Sequence, residues 1–280
     1  TPLRSSHELI DWIEQRRIEC RLPDAAQVLD NGKKDDAGFK QLARRIKARL
    51  RHVPENWTGQ PQVQHALARL YADFVEEAYD DARAAWLRAI GDDSSRGFVP
   101  LAAIEQLANL ECRQAERLSL QDGRQEEALT LVESGIARLG FLIALSSEPP
   151  KVSAAATRDN PERFALLGSS YKRKAVILAR GGKPWKEVAE ALTAARDAYA
   201  RCEGLPGAAS DWDPYNTINR LQLDALLGTD TNYAELSDAC GRAANARFER
   251  SFSFFDAVMP ADAKLAGWIH SGEKSVEELD

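Results

Sequence analysis

A pattern of small residues recurs along the chain at the spacing of one helical face. In each copy, a small residue is followed four positions later by a second residue and three positions beyond that by another small one. Steps of four and three keep side chains on one side of an α-helix, and small side chains there let a neighbouring helix approach closely. The four copies are Ala82–Trp86–Ala89, Ala128–Val132–Gly135, Ala191–Ala195–Ala198 and Ala239–Ala243–Ala246. A pattern that returns in this way predicts stacked helical hairpins rather than a single enzyme core.

Helical periodicity covers most of the chain, and no stretch alternates as a β-strand does. A first helix is expected after the Ser5/Ser6 cap and a second over about 37–53. Four hairpins are then predicted: 62–76 with 78–91, 99–119 with 124–145, 161–180 with 184–203, and 214–228 with 232–250. A last helix is expected near 260–271, after Pro260, because proline is suited to the first turn of a helix. The predicted fold is therefore all-α, a right-handed α-solenoid of divergent helical hairpins.

The predicted domain organisation follows the hairpins. Residues 1–55 form an N-terminal helical segment, and residues 56–280 form the solenoid. A sub-boundary is placed in the polar, proline-bearing stretch 146–161. Because the chain starts at Thr1 without a methionine, we expect one continuous module excised from a longer protein.

Composition narrows the classes of partner. The net charge is -6, with 37 basic and 43 acidic residues, which disfavours general nucleic-acid binding because neutralising phosphates requires a concentrated basic surface. The four cysteines form no close pair, so we expect neither a zinc site nor a disulfide framework, and a cytoplasmic location. No apolar run approaches the length of about 18 residues that spans a bilayer, so no membrane partner is expected.

The first helices of two hairpins share a further motif. A large residue, a small one beside it and a tyrosine three positions on occur as Leu67-Ala68 with Tyr71 and as Leu167-Gly168 with Tyr171. Together with the small-residue pattern of the second helices, this motif resembles the tetratricopeptide repeat (TPR). The separation between the first-helix tyrosine and the second-helix alanine is longer here than in that family. The resemblance implies divergent TPR-like hairpins with long helices.

A more specific resemblance covers roughly residues 160–270. The segments NPERFALLGSSYKRKA, ALTAARDAYARC, DPYNTINRLQLDALLG and FFDAVMPADAKL are similar to TPR modules of large bacterial proteins. Those modules tend to lie beside caspase-like (CHAT) peptidases, trypsin-like peptidases or nucleotide-binding domains in stress or defence systems. The resemblance implies a sensing or scaffolding module, and it offers no catalytic residues.

The residues expected to bind a partner lie in the third and fourth hairpins. Lysine, arginine and asparagine in the concave groove of a helical repeat hold the backbone or carboxylates of an extended peptide. The predicted groove residues are Tyr171, Lys172, Arg173, Lys174, Asn216 and Asn219. Arg173 and Asn219 are the leading candidates, whereas Tyr171 is expected to serve in packing. The partner is predicted to be a protein or peptide, such as a peptidase or a segment of the parent chain.

A second candidate surface lies on the helix predicted over 37–53. Lys40, Arg44, Lys47 and Arg51 follow a 4-3-4 spacing and share one face. A solvated face or ion pairs with a neighbouring acidic helix would explain these charges. The functional alternative is a HEAT-like solenoid that senses nucleic acids or nucleotides through the stripe.

The sequence offers little support for an enzyme. The four histidines are scattered, with no HExxH motif, and Gly32-Lys33 and Gly182-Lys183 lack the rest of a phosphate-binding loop. We therefore expect no catalytic residues, no metal and no cofactor. An all-α enzyme with a buried carboxylate site is the second alternative. The leading prediction is a non-catalytic scaffold or regulatory module of a bacterial, peptidase-associated system.

Overall fold

The computed structural model describes residues 3–21, 45, 48–50, 52–74, 79–91, 101–147, 161–203, 213–229, 233–251 and 254–271. Every regular element in this part of the chain is an α-helix. The chain divides into two compact units, Thr1–Gln114 and Ala115–Asp280. The predicted boundary near residue 55 and the sub-boundary at 146–161 stay predictions.

The first unit contains an N-terminal helix, a short helix, one hairpin and most of a further helix. Its helices are α1 (Ser6–Arg21), the short α2 (Glu55–Thr58), α3 (Pro61–Phe74), α4 (Tyr79–Ile90) and most of α5 (Leu101–Leu118). The Ser5 hydroxyl accepts a hydrogen bond from the Glu8 amide at 3.2 Å, so the predicted N-terminal cap is confirmed. Helix α3 packs against both α1 and α4.

The core of the first unit follows the predicted small-residue pattern. Ala82 and Ala89 are buried on α4, and Trp86 between them is 1 % exposed. The two alanines leave room for α3, and the indole fills the space between the helices. The Trp86 N–H donates to Nδ1 of His65 on α3 at 3.3 Å, which satisfies its one polar atom.

The second unit contains consecutive helical hairpins. Its helices after α5 are α6 (Gln125–Ser147), α7 (Pro161–Arg180), α8 (Trp185–Glu203), α9 (Pro214–Leu227), α10 (Tyr233–Ser251) and α11 (Phe254–Ser271). Each of α6 to α10 packs against the helix that follows it in the chain, and α11 also packs on α9. This sequential packing confirms the predicted TPR-like α-solenoid of hairpins.

The third hairpin shows why its first helix carries a glycine. Ala191, Ala195 and Ala198 are all buried on α8, as predicted. The residue between the outer alanines is small here, and the aromatic ring comes instead from Tyr199, which is fully buried. That ring lies directly over Gly168 on α7, where an added Cβ would be 2.8 Å from a ring carbon. The glycine therefore makes room for the tyrosine of the neighbouring helix.

The prediction for the fourth small-residue copy is wrong. On α10, Ala239 and Ala243 are only half-buried and Ala246 is exposed, whereas Cys240 and Ala244 are fully buried. The buried face is displaced by one residue, or about 100° around the helix. The buried face of α10 carries Cys240 and Ala244 because this helix packs against both α9 and α11, and the three helices share one core.

The predicted start of the last helix is also wrong. Helix α11 begins at Phe254, so Pro260 lies inside it. Proline removes one backbone donor, yet Met259, Ala263 and Ala266 are buried in one cluster on either side of it. Packing of this continuous face outweighs the local preference of proline for a helix start.

Helix α6 corrects the expectation about apolar length. Its segment Gln125–Leu145 has a mean hydropathy of 1.7 and is long and apolar enough to cross a membrane, and 28 % of its apolar window is buried within the protein. Length and composition do not distinguish a membrane span from a helix that packs against protein. The absence of a membrane partner therefore stays a prediction.

Candidate functional site

The four consecutive residues 171–174 of α7 lie on two different surfaces. Successive residues of an α-helix are about 100° apart, so four in a row cannot share one face. Lys172 and Arg173 point toward α9 and the C-terminal end of α5, whereas Lys174 points toward α6. The predicted groove cluster is therefore divided between two surfaces of the second unit.

The first surface is formed within the second unit by α7 and α9, the first helices of two hairpins, and by the C-terminal end of α5 after Gln114. We call it the first-helix face, and it consists of Glu116, Ser169, Lys172, Arg173, Tyr215 and Asn219. Arg173 connects α7 to α5, because its Nε lies 3.2 Å from a carboxylate oxygen of Glu116. The same guanidinium donates to the hydroxyl of Ser169 and to its backbone carbonyl. Arg173 is thereby held in one orientation with its side chain 23 % exposed.

Lys172 is the unusual member of the first-helix face. Its ammonium donates to Oδ1 of Asn219 at 2.7 Å, and the Asn219 amide donates to the backbone carbonyl of Tyr215 at 2.8 Å. Among the described residues, none places a carboxylate within ion-pair distance of Lys172. Burial lowers the pKa of Lys172, and the positive charge of Arg173 lowers it further, while Asp262 opposes both effects. A largely buried cation thus has a neutral amide as its hydrogen-bond partner.

Asn216 occupies a different environment from Asn219. It is buried against α8 rather than on the first-helix face, and its Oδ1 has no hydrogen-bond partner. It contacts the thiol of Cys202, whose pKa burial raises to about 11 while a hydrogen bond from Asn216 acts in the opposite direction. A partner-binding role for Asn216 stays a prediction.

The second surface is a pocket between α6, α7 and α8, which we call the α6–α8 pocket. It has a volume of 340 Å³. Tyr171 lines it, as does Lys174, whose ammonium lies 2.8 Å from the Glu133 carboxylate. The other lining residues are Leu129, Leu178, Lys183, Glu187, Glu190 and Ala191. Sequence reasoning missed this pocket because the acidic residues of α8 resemble an ordinary solvated face.

The predicted basic stripe cannot be placed on either surface. Lys40, Arg44, Lys47 and Arg51 lie outside the described residues. The HEAT-like alternative that depends on them stays a prediction.

A charged network between α8 and α9 serves packing. The Asp224 carboxylate is fully buried and accepts from Arg196 at 2.8 Å and from Arg220 at 2.7 Å. Arg220 also pairs with Glu203 at 3.0 Å. Burial disfavours the charged form of Asp224, but hydrogen bonds from Arg196 and Thr229 outweigh it and hold the pKa below the usual value. Each carboxylate is thus neutralised by arginine across α8 and α9.

The described residues contain no candidate cluster for metal binding. No group of three or more histidine, cysteine, aspartate or glutamate side chains among the described residues is arranged to hold a metal ion. The predictions of no metal, no cofactor and no catalysis therefore rest on the sequence.

Comparison with known proteins identifies the family. The sequence model of the family described as Tetratricopeptide Repeats-Sensor matches residues 78–224, more than half of the chain and including the helices that carry both surfaces. No curated protein and no solved structure matches the chain. The match agrees with the sequential packing of the helices. The chain belongs to the Tetratricopeptide Repeats-Sensor family.

Proposed function

We propose that this chain is a protein- or peptide-binding module whose first-helix face receives an acidic group of the partner. TPR-type repeats generally mediate protein–protein interaction and are typically non-catalytic. The observation that carries the proposal is Lys172, a largely buried ammonium that is hydrogen-bonded to the neutral amide of Asn219. Burying a charge is costly unless a counter-charge accompanies it, so an incoming carboxylate would find a site already prepared for it.

The neighbouring side chains suit such a ligand. Arg173 is oriented by Glu116 and Ser169, so its guanidinium loses little conformational freedom when it binds. Tyr215 is 42 % exposed and offers an apolar surface to the chain on either side of the carboxylate. A carboxylate that accepts from Lys172 gains a charge-assisted hydrogen bond, which contributes about 1.5–3 kcal/mol.

The biological setting is a further part of the proposal. We place the module in a bacterial multidomain protein of the cytoplasm, where it senses or scaffolds components of a stress or defence system. Under this proposal, its partner is a peptidase or a segment of the parent chain. The resemblance of residues 160–270 supports this setting, and the described cysteines Cys112, Cys202 and Cys240 are buried and form no disulfide, as suits a reducing compartment.

The experiment is a fluorescence-anisotropy screen of labelled octapeptides that carry Asp, Glu, Asn, Gln or a free C-terminal carboxylate at one position. We expect binding only from peptides with a carboxylate. Lys172→Met should weaken the best of them by about 10-fold to 100-fold, which corresponds to the lost charge-assisted hydrogen bond. Lys186→Met is the matched control, because Lys186 is an exposed lysine of the same unit outside both surfaces.

Two outcomes would refute the proposal. One is equal binding of the carboxylate peptides and their amide counterparts. The other is equal weakening by Lys172→Met and Lys186→Met, because that result would indicate general charge attraction instead of a site at Lys172.

A further inference from the structure

The α6–α8 pocket combines an apolar floor with an incompletely neutralised rim. Leu178 and Ala191 are buried at the floor, and the Tyr171 ring is half-buried beside them. The volume of 340 Å³ is near the lower limit of about 300 Å³ for ligand pockets in proteins. A pocket of this size accommodates one long side chain with its flanking backbone rather than a folded surface.

The charges of the rim leave an excess of carboxylate. Lys174 is neutralised by Glu133. Glu187 and Glu190 lie one turn apart on α8, so their side chains share one side of that helix. Neither carboxylate has a side-chain partner among the described residues, and Lys183 is the one remaining cation of the lining.

We propose that the α6–α8 pocket binds an arginine side chain presented by a protein segment. The methylene groups of arginine would lie on Leu178 and Ala191, and the planar guanidinium would stack on the Tyr171 ring. Glu187 and Glu190 would accept its N–H groups, which are arranged to bind carboxylates in a bidentate manner. Lysine fits less well, because its compact ammonium neither stacks as a plane nor binds in this manner.

This site is independent of the first-helix face. It selects a basic group, whereas Lys172 selects an acidic one, and the two residues Lys172 and Lys174 point to different helices. The inference therefore goes beyond the proposed function and stands even if the first-helix face binds no peptide. A partner that uses both surfaces would carry an acidic and a basic residue, and binding at both would raise the overall affinity.

The test uses a fluorescein-labelled glycine–serine heptapeptide with one central arginine, titrated with the full chain and followed by anisotropy. A second peptide carries citrulline in place of arginine, which keeps the shape and removes the charge. We expect the arginine peptide to bind at least about 10-fold more tightly than the citrulline peptide, as a charge-assisted hydrogen bond predicts. Equal affinities would overturn the proposal.

Matched variants locate the site. Glu187→Gln/Glu190→Gln should weaken the arginine peptide by about 10-fold or more. The control Glu55→Gln/Glu249→Gln removes the same charge from exposed positions outside the pocket and should leave binding unchanged. Equal weakening by both double variants would overturn the proposal in favour of general charge attraction. Thermal melting followed by circular dichroism establishes that each variant is folded.

Two further measurements distinguish a protein segment from a small guanidinium compound as the ligand, and the α6–α8 pocket from the first-helix face as the site. N-acetyl-arginine amide should compete with the peptide at least about 10-fold less effectively, because it lacks the flanking backbone. Equal competition would indicate that the pocket binds a small guanidinium compound, and it would overturn the proposal that the ligand is a protein segment. Lys172→Met should leave binding of the arginine peptide unchanged. A failure of the arginine-pocket proposal can therefore be distinguished from a failure of the acidic-peptide proposal for the first-helix face.

Discussion

The packing of Tyr199 on Gly168 predicts a reversal in the effect of one substitution. Gly168→Ala places a methyl group 2.8 Å from one ring carbon of Tyr199 and 2.9 Å from two others. Because the ring is fully buried, it cannot move away freely, and overpacking of this kind costs about 1–3 kcal/mol. Alanine is also the better helix former by about 1 kcal/mol. The close approach to three ring atoms favours the upper part of the range, so we expect a net destabilisation of about 1–2 kcal/mol.

The same substitution should become stabilising when the ring is removed. Tyr199→Ala alone should cost about 3–5 kcal/mol, as truncation of a buried aromatic side chain does. In that background the methyl group of Gly168→Ala meets no ring, so only the helix-propensity gain of about 1 kcal/mol remains. The sign of the Gly168→Ala effect therefore depends on Tyr199, which is a coupling that only direct contact produces.

Urea denaturation followed by circular dichroism measures the four members of this cycle. Tyr199→Leu replaces Tyr199→Ala if the alanine variant is unfolded without urea. Additive effects of the two substitutions, with Gly168→Ala destabilising in both backgrounds, would refute the placement of the ring over the glycine. A stabilising effect of Gly168→Ala in the wild-type background would refute it as well.

Three other perturbations test separate parts of the structure. Asp224→Asn leaves Arg196 and Arg220 without their shared carboxylate and should lower the free energy of unfolding by about 2 kcal/mol or more, measured by urea denaturation. Burial and the charge of Arg69 lower the pKa of His65, so the unfolded chain binds this proton first as the pH falls below 6.5. Stability should therefore decrease between pH 7.5 and pH 5.5, and His65→Gln should reduce that decrease in thermal melts. Thiol labelling of the folded chain at pH 7.5 should be slow at Cys240, because burial raises its pKa to about 11, and it should become fast in urea.

The boundaries of the third hairpin were predictable because local signals agree with packing. Helix α7 begins at Pro161. Gly182 lies in the turn that follows α7 and has a φ of 65°, a conformation that glycine adopts without strain. The predicted range 161–180 matches the helix in the structure. The alanines of α4 and α8 were assigned to the core for a similar reason, since each helix has one apolar face.

The face of α10 was not predictable in the same way. An alanine-rich helix contains several sets of small residues at steps of four and three, so spacing alone does not select one. The choice depends on α11, whose position the sequence did not predict because Pro260 looked like a helix start. A local signal was in conflict with tertiary packing there, and packing prevailed.

The relative placement of the candidate residues was predictable in part. The sequence placed Lys172 and Asn219 on one surface, and the structure joins them by a hydrogen bond across α7 and α9. The sequence alone could not show that Lys174 faces α6, nor that Glu187 and Glu190 line a pocket, because both facts depend on how α6, α7 and α8 pack together. Adjacency in the sequence does not predict a shared surface, because successive side chains of a helix point in different directions.

The measurement that tests the central claim most directly is an NMR titration of the ¹⁵N-labelled chain with the tightest acidic peptide of the screen. The account predicts that the largest amide shifts cluster at residues 169–173 of α7 and 215–219 of α9. It also predicts that these shifts are lost with Lys172→Met and kept with Lys186→Met. Shifts confined to other helices, or an identical pattern in Lys172→Met, would contradict the claim that the first-helix face binds an acidic group of the partner.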